Sequence, residues 1–350
     1  MKIAVTYNLK QKDATKPADY FSEFDSEETI NAISLALKSR GHSVDLVEVG
    51  QSHLFSYFKN NDIDIVFNIA EGKNGKFRES EIPAILDYLN IPYTGSSTFS
   101  LALALNKALT KKLLKAENIS TPRFQVFTKG DEELDSSLKF PLIVKPNREG
   151  SAKGIDISNV TNTKENLFNK IKEIRDLYKQ EALVEEFIEG KELTVGILEN
   201  GKTTILPILE IDFSDCAKSG EYFYSWRMKE YQGNTELGLA PTFYCPARLD
   251  KDIEKLVKEV AFNTHRVVGC FDISRTDIRL SKDNIPYVLE INPLPGLNPY
   301  ESNFPLMAYA AGMKYDELIE AILMSALERR ELNKTDLSSL GEKDKQGIIL

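Results

Sequence analysis

Four side chains that could share a metal ion and an anionic ligand fall in one stretch, FDISRTDIRLSKDNIPYVLEINPLPGLNP, residues 271–299. They are Arg275, Asp277, Glu290 and Asn292. Two apolar-patterned segments flank the polar turn SKDN, the pattern of a β-hairpin. A loop closed by Leu280 opposite Ile285 sets Arg275 across the ladder from Glu290, with Asp277 diagonal to Glu290. Strand alternation then puts the four polar residues on one face and Ile278, Leu280, Ile285, Tyr287, Leu289 and Ile291 on the other. Two carboxylates and an amide oxygen are hard donors suited to Mg²⁺, with Mn²⁺ also admissible; zinc favours nitrogen or sulfur. The same charges could instead simply pair on a solvated sheet face. The following PLPGLNP favours a ligand, because Gly296 permits close backbone approach and its prolines stiffen the loop.

A metal bound with a nucleotide needs phosphate-binding groups elsewhere. The chain has neither G-x-x-x-x-G-K-[ST] nor G-x-G-x-x-G. Instead, PLIVKPNREGSAKGI places Lys145 at the end of an apolar strand, ahead of a loop with Gly150, Ser151, Ala152 and Gly154. Small residues let backbone N–H groups approach phosphate oxygens while the lysine supplies charge. Many ordinary surface loops share that composition. In EALVEEFIEGKEL, backbone groups of Glu185, Glu186, Phe187 and Ile188 could meet an adenine edge, and Glu192 could accept from ribose hydroxyls. The alternative there is an amphipathic strand and a turn at Gly190.

The elements that must position these groups follow from hydrophobic period. KIAVTYN (2–8) reads as a buried strand, SEETINAISLALKSRG (26–41) as an amphipathic helix ended by Gly41, and SVDLVEV and DIDIVFNI as further strands. This βαβ alternation predicts an α/β fold that opens with a parallel sheet, its ligand site beyond the carboxyl ends of the strands. The segment from Ile91 leads through a turn into one helix, a helix spans about 163–178, and KYDELIEAILMSALERR is helical. The expected divisions are an N-terminal substrate domain (1–94), a central lobe (95–184), a C-terminal lobe (185–330) and a polar, mobile tail (331–350).

Composition narrows the function classes. At 350 residues and 42% hydrophobic, the chain can bury a core in two or three domains. A net charge of −9 without a lysine–arginine block argues against nucleic acid as a partner. With no signal-peptide core and no apolar run of about 18 residues, a cytoplasmic protein without membrane association is expected. Cys216, Cys245 and Cys270 lack disulfide or zinc spacing, and His42, His53 and His265 stand apart from any nucleophile motif.

Together FNIAEG, IPYTGS, ALALNKALTK, PLIVKPNREGSAKGI, VEEFIEGKELTV, CPA, RTDIRL and LEINPLPGL resemble the D-alanine–D-alanine ligase family of the ATP-grasp superfamily, in order and over most of the chain. The resemblance implies a three-domain fold with ATP between two lobes and amino acids against the N-terminal domain. It implies that Lys107 and Lys145 contact phosphates, Glu185, Phe187 and Ile188 the adenine, and Glu192 the ribose. Asp277, Glu290 and Asn292 match Mg²⁺ ligands, and Ser151 matches the serine of the glycine-rich loop. Arg275 matches the arginine facing the reacting carboxyl group, the Gly296 amide an oxyanion donor, and Lys229 a mobile-loop lysine reaching the transferred phosphate. The implied reaction joins a carboxylate to an amine through an acylphosphate, in cell-wall synthesis. A homodimer is compatible with the likeness.

Three departures concern the amino-acid sites. Glu71-Gly72 stands where the ligases usually have His-Gly. After Gly296 the family's threonine- and serine-containing loop is replaced by LNPYESNFP, in which Glu301 would repel a carboxylate and Ser302 or Asn303 could take the serine's place. The segment YNLKQKDATKPADYFSEFDSEE lacks the family's glycine-rich opening, leaving Glu27 or Glu28 to meet the first amine. A ligase for a different amino acid or small amine, a kinase, and a catalytically inactive nucleotide-binding protein are the competing readings.

Overall fold

Strand β1 (Lys2–Tyr7) is apolar at most positions, which suits the centre of a sheet covered on both faces. In the computed structural model, which describes residues 1–11, 13–50, 53–200 and 202–344, it lies between two parallel neighbours. These follow α1 (Glu27–Ser39), as β2 (Ser43–Glu48), and α2 (Leu54–Asn60), as β3 (Ile65–Asn68), giving the order β2-β1-β3. Ser26 starts α1 by accepting the Thr29 N–H at 3.3 Å. Ile3, Val5 and Phe67 pack with Ile33 and Leu37 of α1. On the opposite face, Ala4 and Val66 meet Phe58 of α2 and Leu86 of α3 (Glu81–Leu89).

The single helix expected next is two, α4 (Thr98–Leu105) and α5 (Lys107–Ala116). Asn106 breaks the run with ψ 88°, and its side chain accepts the Leu109 N–H at 3.2 Å to start the new helix. Then come β4 (Phe124–Phe127), β5 (Leu142–Pro146), β6 (Val160–Thr161), α6 (Lys164–Tyr178) and β7 (Ala182–Glu186). They form an antiparallel sheet in the order β4-β7-β5-β6, packed on α6. Strand β7 runs through the expected 184/185 division.

The third sheet comprises β8 (Gly190–Asn200), β9 (Lys202–Ile205), β10 (Leu209–Asp212), β11 (Thr242–Tyr244), β12 (Ile273–Ser281) and β13 (Pro286–Asn292). Its order is β11-β10-β8-β12-β13, with β9 on β8. Helix α7 (Trp226–Glu230) lies in the long β10–β11 connection, and α8 (Lys251–Val268) packs beneath the sheet. Helices α9 (Asn303–Ala310) and α10 (Tyr315–Asp344) return to the first sheet, where Phe304, Leu318 and Ile322 join the core of Ile3, Val5 and Leu37. Helix α10 continues beyond the expected boundary at residue 330; residues 345–350 of the expected tail lie outside the described residues.

The hairpin differs from its expected register. Leu280 faces Pro286, Ile278 faces Val288, Asp277 faces Glu290 and Arg275 faces Asn292, with an irregularity at Asp277/Ile278. Ladder pairing therefore skips Leu289, the signature of a β-bulge. Before the bulge, Val288 rather than Tyr287 or Leu289 joins the Ile278 and Leu280 core, and Ile285 is exposed. After it, Ile291 returns to the core while Glu290 and Asn292 face the polar side. The bulge resets the alternation where the charged residues begin.

Candidate active site

The three sheets converge on a cleft of about 470 Å³, within the range of small-molecule sites. Its lining includes Lys107, Lys145, Ser151, Lys229, Gly296 and every other expected site residue except Glu27 and Glu28. Glu28 instead approaches Asn298, which does line the cleft, accepting from its Nδ2 at 3.2 Å.

Alternate residues of β12 supply Arg275, Asp277 and Arg279. Arg275 holds Asp277 in a fork, Nε to Oδ1 at 2.9 Å and Nη2 to Oδ2 at 2.7 Å. Thr194 Oγ1 and Asn292 Nδ2 also donate to Asp277, at 2.6 and 3.0 Å. Glu290 pairs with Lys107 at 3.1 Å. Burial opposes its charge, yet Lys107, Lys145 and Arg275 outweigh burial and pull its pKa down to about 2. Glu290 is thus an ionised hard donor directly across the ladder from Asp277, with Asn292 two residues along on the same face. That donor set suits Mg²⁺ better than a softer ion. Among the described residues no cluster of three His, Cys, Asp or Glu side chains forms a metal cage, so Asn292 would have to be the third donor.

The break at Asn106 makes Lys107 the first residue of α5, where its ammonium also donates to the Glu149 carbonyl at 2.5 Å. On the second sheet, Glu185 is 1% exposed and sits between Lys145 at 2.7 Å and Lys111 at 3.0 Å. Burial would neutralise this glutamate, but the two lysines outweigh it and keep it charged. Burial in turn lowers Lys111 to about 8. Glu185 therefore holds the Lys145 ammonium in place at the cleft and pairs with the buried Lys111 behind it, a duty distinct from the adenine contact expected of its backbone. Of the following residues, the Glu186 N–H bonds Arg123 O and the Phe187 N–H bonds Pro141 O, both at 3.0 Å. Among the described residues the Ile188 N–H has no partner, so it is the amide left for a ligand edge. Phe187 carries Arg279 over its ring at 5.3 Å and meets Tyr222 and Phe223 edge-on. Glu192 pairs with Arg279 at 2.9 Å, and burial raises its pKa against that cation.

The glycine-containing loop is drawn tight. Ser151 and Ala152 adopt φ +52° and +55°, a left-handed conformation uncommon outside glycine. Lys229, at the end of the β10–β11 connection's helix, donates to Ser151 Oγ at 2.8 Å. Burial, with Arg275 nearby, lowers its pKa. At Gly296 a Cβ would lie 2.9 Å from Ser302 Oγ, which itself accepts the Asn298 N–H at 3.0 Å. A side chain at 296 would push the Ser302 hydroxyl away from the Asn298 N–H.

The end of the cleft beside the first sheet is acidic. Glu71 follows β3, its N–H held by Asn8 Oδ1 at 2.9 Å. Burial, then the neighbouring Glu79 and Glu23, push its pKa well above the carboxylate range. Burial raises Asp25 to about 7 despite Lys229, and Glu79 to about 7 despite Arg78. Among the described residues the side chains of Asp25, Glu71, Glu79 and Glu301 have no ion pair. Sequence reasoning missed Asp25, Glu79, Glu23 and Arg279. Arg279 was within reach, since it continues the alternation of Arg275 and Asp277; Glu23 and Asp25 precede α1 and Glu79 sits in a single 3-10 turn, none within a periodic pattern.

The likeness in sequence agrees with this geometry. Residues 113–324 match the family model described as the D-Ala D-Ala ligase C-terminus. The D-alanine–D-alanine ligase of Carboxydothermus hydrogenoformans is 34% identical over 312 residues, covering 87% of this chain and 94% of its own. The protein y4sG of Sinorhizobium fredii, described as uncharacterized, is 34% identical over 265 residues, covering 76% and 75%. In structure, the D-alanine–D-alanine ligase of Bacillus anthracis complexed with ATP superposes with TM-score 0.74 at 26% identity, over 95% of this chain and 99% of that one. The cleft between three sheets, the hairpin carrying Arg275, Asp277, Glu290 and Asn292, and these matches make the chain a member of the D-alanine–D-alanine ligase family, with the ATP-grasp fold.

Proposed function

We propose that this protein is an ATP- and Mg²⁺-dependent carboxylate–amine ligase that joins two amino acids, D-alanine in both positions. The observation that carries the reading is the convergence of Lys107, Lys145, Arg275, Asp277 and Glu290 in one cleft within a family of such ligases. A carboxylate oxygen of the first amino acid attacks the γ-phosphorus of ATP, and the bond to the ADP oxygen breaks. The second amino acid's amine then attacks the acyl carbon, and phosphate leaves from the tetrahedral intermediate. Phosphoryl transfer of this kind is catalysed mainly by positioning and charge neutralisation. Lys107 and Lys145 bind phosphate oxygens, and Arg275 neutralises the reacting carboxyl group. The Gly296 amide offers a donor to the developing oxyanion, and Lys229 with Ser151 closes over the transferred phosphoryl group. Asp277, Glu290 and Asn292 would hold Mg²⁺, which supplies further positive charge at the phosphates when bound. The unpartnered Ile188 N–H, Phe187 and Glu192 accept the nucleoside.

A second reading has one specific observation in its favour. Asp25, Glu71, Glu79 and Glu301 line one end of the cleft and form no ion pair among the described residues. A cationic group bound there would draw the raised carboxyls of Asp25, Glu71 and Glu79 back to their charged forms, which favours an amino acid or amine carrying an extra positive charge over D-alanine. Incubation with ATP, Mg²⁺ and a panel of D- and L-amino acids, diamino acids and small amines, followed by ADP and product mass analysis, separates the two. D-alanyl-D-alanine as the main product supports the first reading; a product containing the diamino acid, with little from D-alanine alone, supports the second. No ADP with any member of the panel would sink both. A cytoplasmic, cell-wall-directed role accords with the first reading, and no helix among the described residues is long and apolar enough to cross a membrane.

A further inference from the structure

The segment that replaces the family's glycine-rich opening places two carboxylates on the phosphate loop. Glu23 Oε1 accepts the Gly150 N–H at 2.6 Å, and Asp19 Oδ2 accepts the Gly154 N–H at 2.9 Å and the Tyr178 hydroxyl. The loop is thus gripped at both ends by one stretch of the N-terminal domain. Between the grips, Lys153 Nζ lies 5.5 Å from the Tyr20 ring centroid and 3.9 Å from Glu23 Oε2. Arg78 pairs with Glu23 and, through its other nitrogen, donates to the Arg148 carbonyl at 2.9 Å. Arg78 and Lys153 neutralise Glu23, so the grip does not present a bare anion to a nucleotide. A Cβ at position 150 would sit 2.9 Å from Glu23 Oε1, so glycine there admits the carboxylate.

The same stretch reaches the third sheet's long connection. Trp226 Nε1 donates to Ser22 Oγ at 2.7 Å, while the Trp226 N–H donates to Ile155 O at 3.0 Å. Lys10 pairs with Glu230 at 2.9 Å. Left-handed Ser151 and Ala152 would relax in an unsupported loop; here the surroundings over-determine them. Two residues beyond Glu23, Asp25 lines the amino-acid end of the cleft.

We propose that Asp19 and Glu23 are positioning residues which hold the Gly150–Gly154 loop closed over the nucleotide and tie that closure to the amino-acid end through Asp25. Neither touches the reacting atoms; both act through backbone amides of the loop. The kinetic consequence rests on the ligase reading above, whereas the nucleotide-affinity consequence does not.

The experiment compares the wild-type protein with Asp19→Ala/Glu23→Ala and Glu23→Gln. ADP binding with Mg²⁺ is measured by calorimetry, the ADP-to-product ratio during turnover by mass analysis, and folding by circular dichroism. In the folded double variant, the Kd for ADP rises about tenfold or more. More than one ADP forms per ligated product, because an open loop lets water reach the acylphosphate. Glu23→Gln keeps an oxygen for the Gly150 N–H and retains most of the affinity. An unchanged Kd and ratio in the folded double variant would overturn the proposal, as would tighter binding, which would mean that the segment competes with the nucleotide. If the double variant does not fold, Glu23→Ala alone replaces it; it removes the acceptor of the Gly150 N–H and raises the Kd for ADP, and an unchanged Kd in it would overturn the proposal. Should the wild type make no ligated product, the ligase reading fails, and the ADP affinities still decide the role of Asp19 and Glu23.

Discussion

Glu290 concentrates the electrostatics of the site. It lies opposite Asp277, contacts Lys107 and is kept charged by three cations despite its burial. Replacing it by Gln leaves shape intact and removes one negative charge from the proposed metal set. Glu290→Gln lowers turnover at least about a hundredfold, equivalent to roughly 3 kcal/mol of transition-state stabilisation, while the fold persists. Near-normal turnover with excess Mg²⁺ would remove Glu290 from that set. Asp25 illustrates the opposite case, a carboxyl that burial raises from its ordinary value of 3.8 to about 7. Because the folded pKa exceeds the unfolded one, the folded state binds more protons between about pH 4 and pH 7. Asp25's contribution is therefore present below pH 4 and lost as pH rises through 7. Asp25→Asn raises urea-unfolding stability at pH 8 relative to pH 5 by on the order of 1 to 3 kcal/mol against wild type. An equal shift at both pH values would contradict the burial argument. The charged residues of the hairpin were legible because residue type and strand parity act locally. Asp25 and Glu79 were not, because their acidity depends on which remote segments bury them.

At the scale of elements, helices with caps and clear period were readable. Ser26 and Gly41 bound α1 much as the sequence indicates. The hairpin register was not readable, because a skipped Leu289 leaves no mark in residue type, yet it decides which side chain faces which. The outcome preserves the site by another route: Asp277 lies opposite Glu290 rather than diagonal to it, and Arg275 lies opposite Asn292. The split between α4 and α5 was hidden for a related reason. The run SLALALNKALTKKLL has helical propensity throughout, and only the Asn106 side chain's bond to Leu109 N–H reveals the new start that directs Lys107 into the cleft.

For the whole molecule, the chain's return matters as much as its lobes. Arg329 of α10 donates to the carbonyls of Tyr93 and Gly95 at 3.0 and 3.2 Å and pairs with Asp272 at 2.9 Å, while Asp272 accepts the Gly95 N–H at 2.7 Å. This joint fixes the turn that follows the first sheet against the start of β12 in the third, and with it the distance between the acidic end of the cleft and Lys107 and Lys145. Such long-range closure could not be read from local pattern, because Tyr93, Gly95, Asp272 and Arg329 come together only through the fold. In the proposed reaction the two ends of the cleft act in sequence on one carboxylate, through an acylphosphate. The most direct measurement supplies the first amino acid with ¹⁸O in its carboxylate and reads the released phosphate by mass spectrometry. One ¹⁸O is expected in each phosphate released with ligated product; phosphate without label would overturn the acylphosphate route, because the γ-phosphoryl group would then have passed to water or to another oxygen.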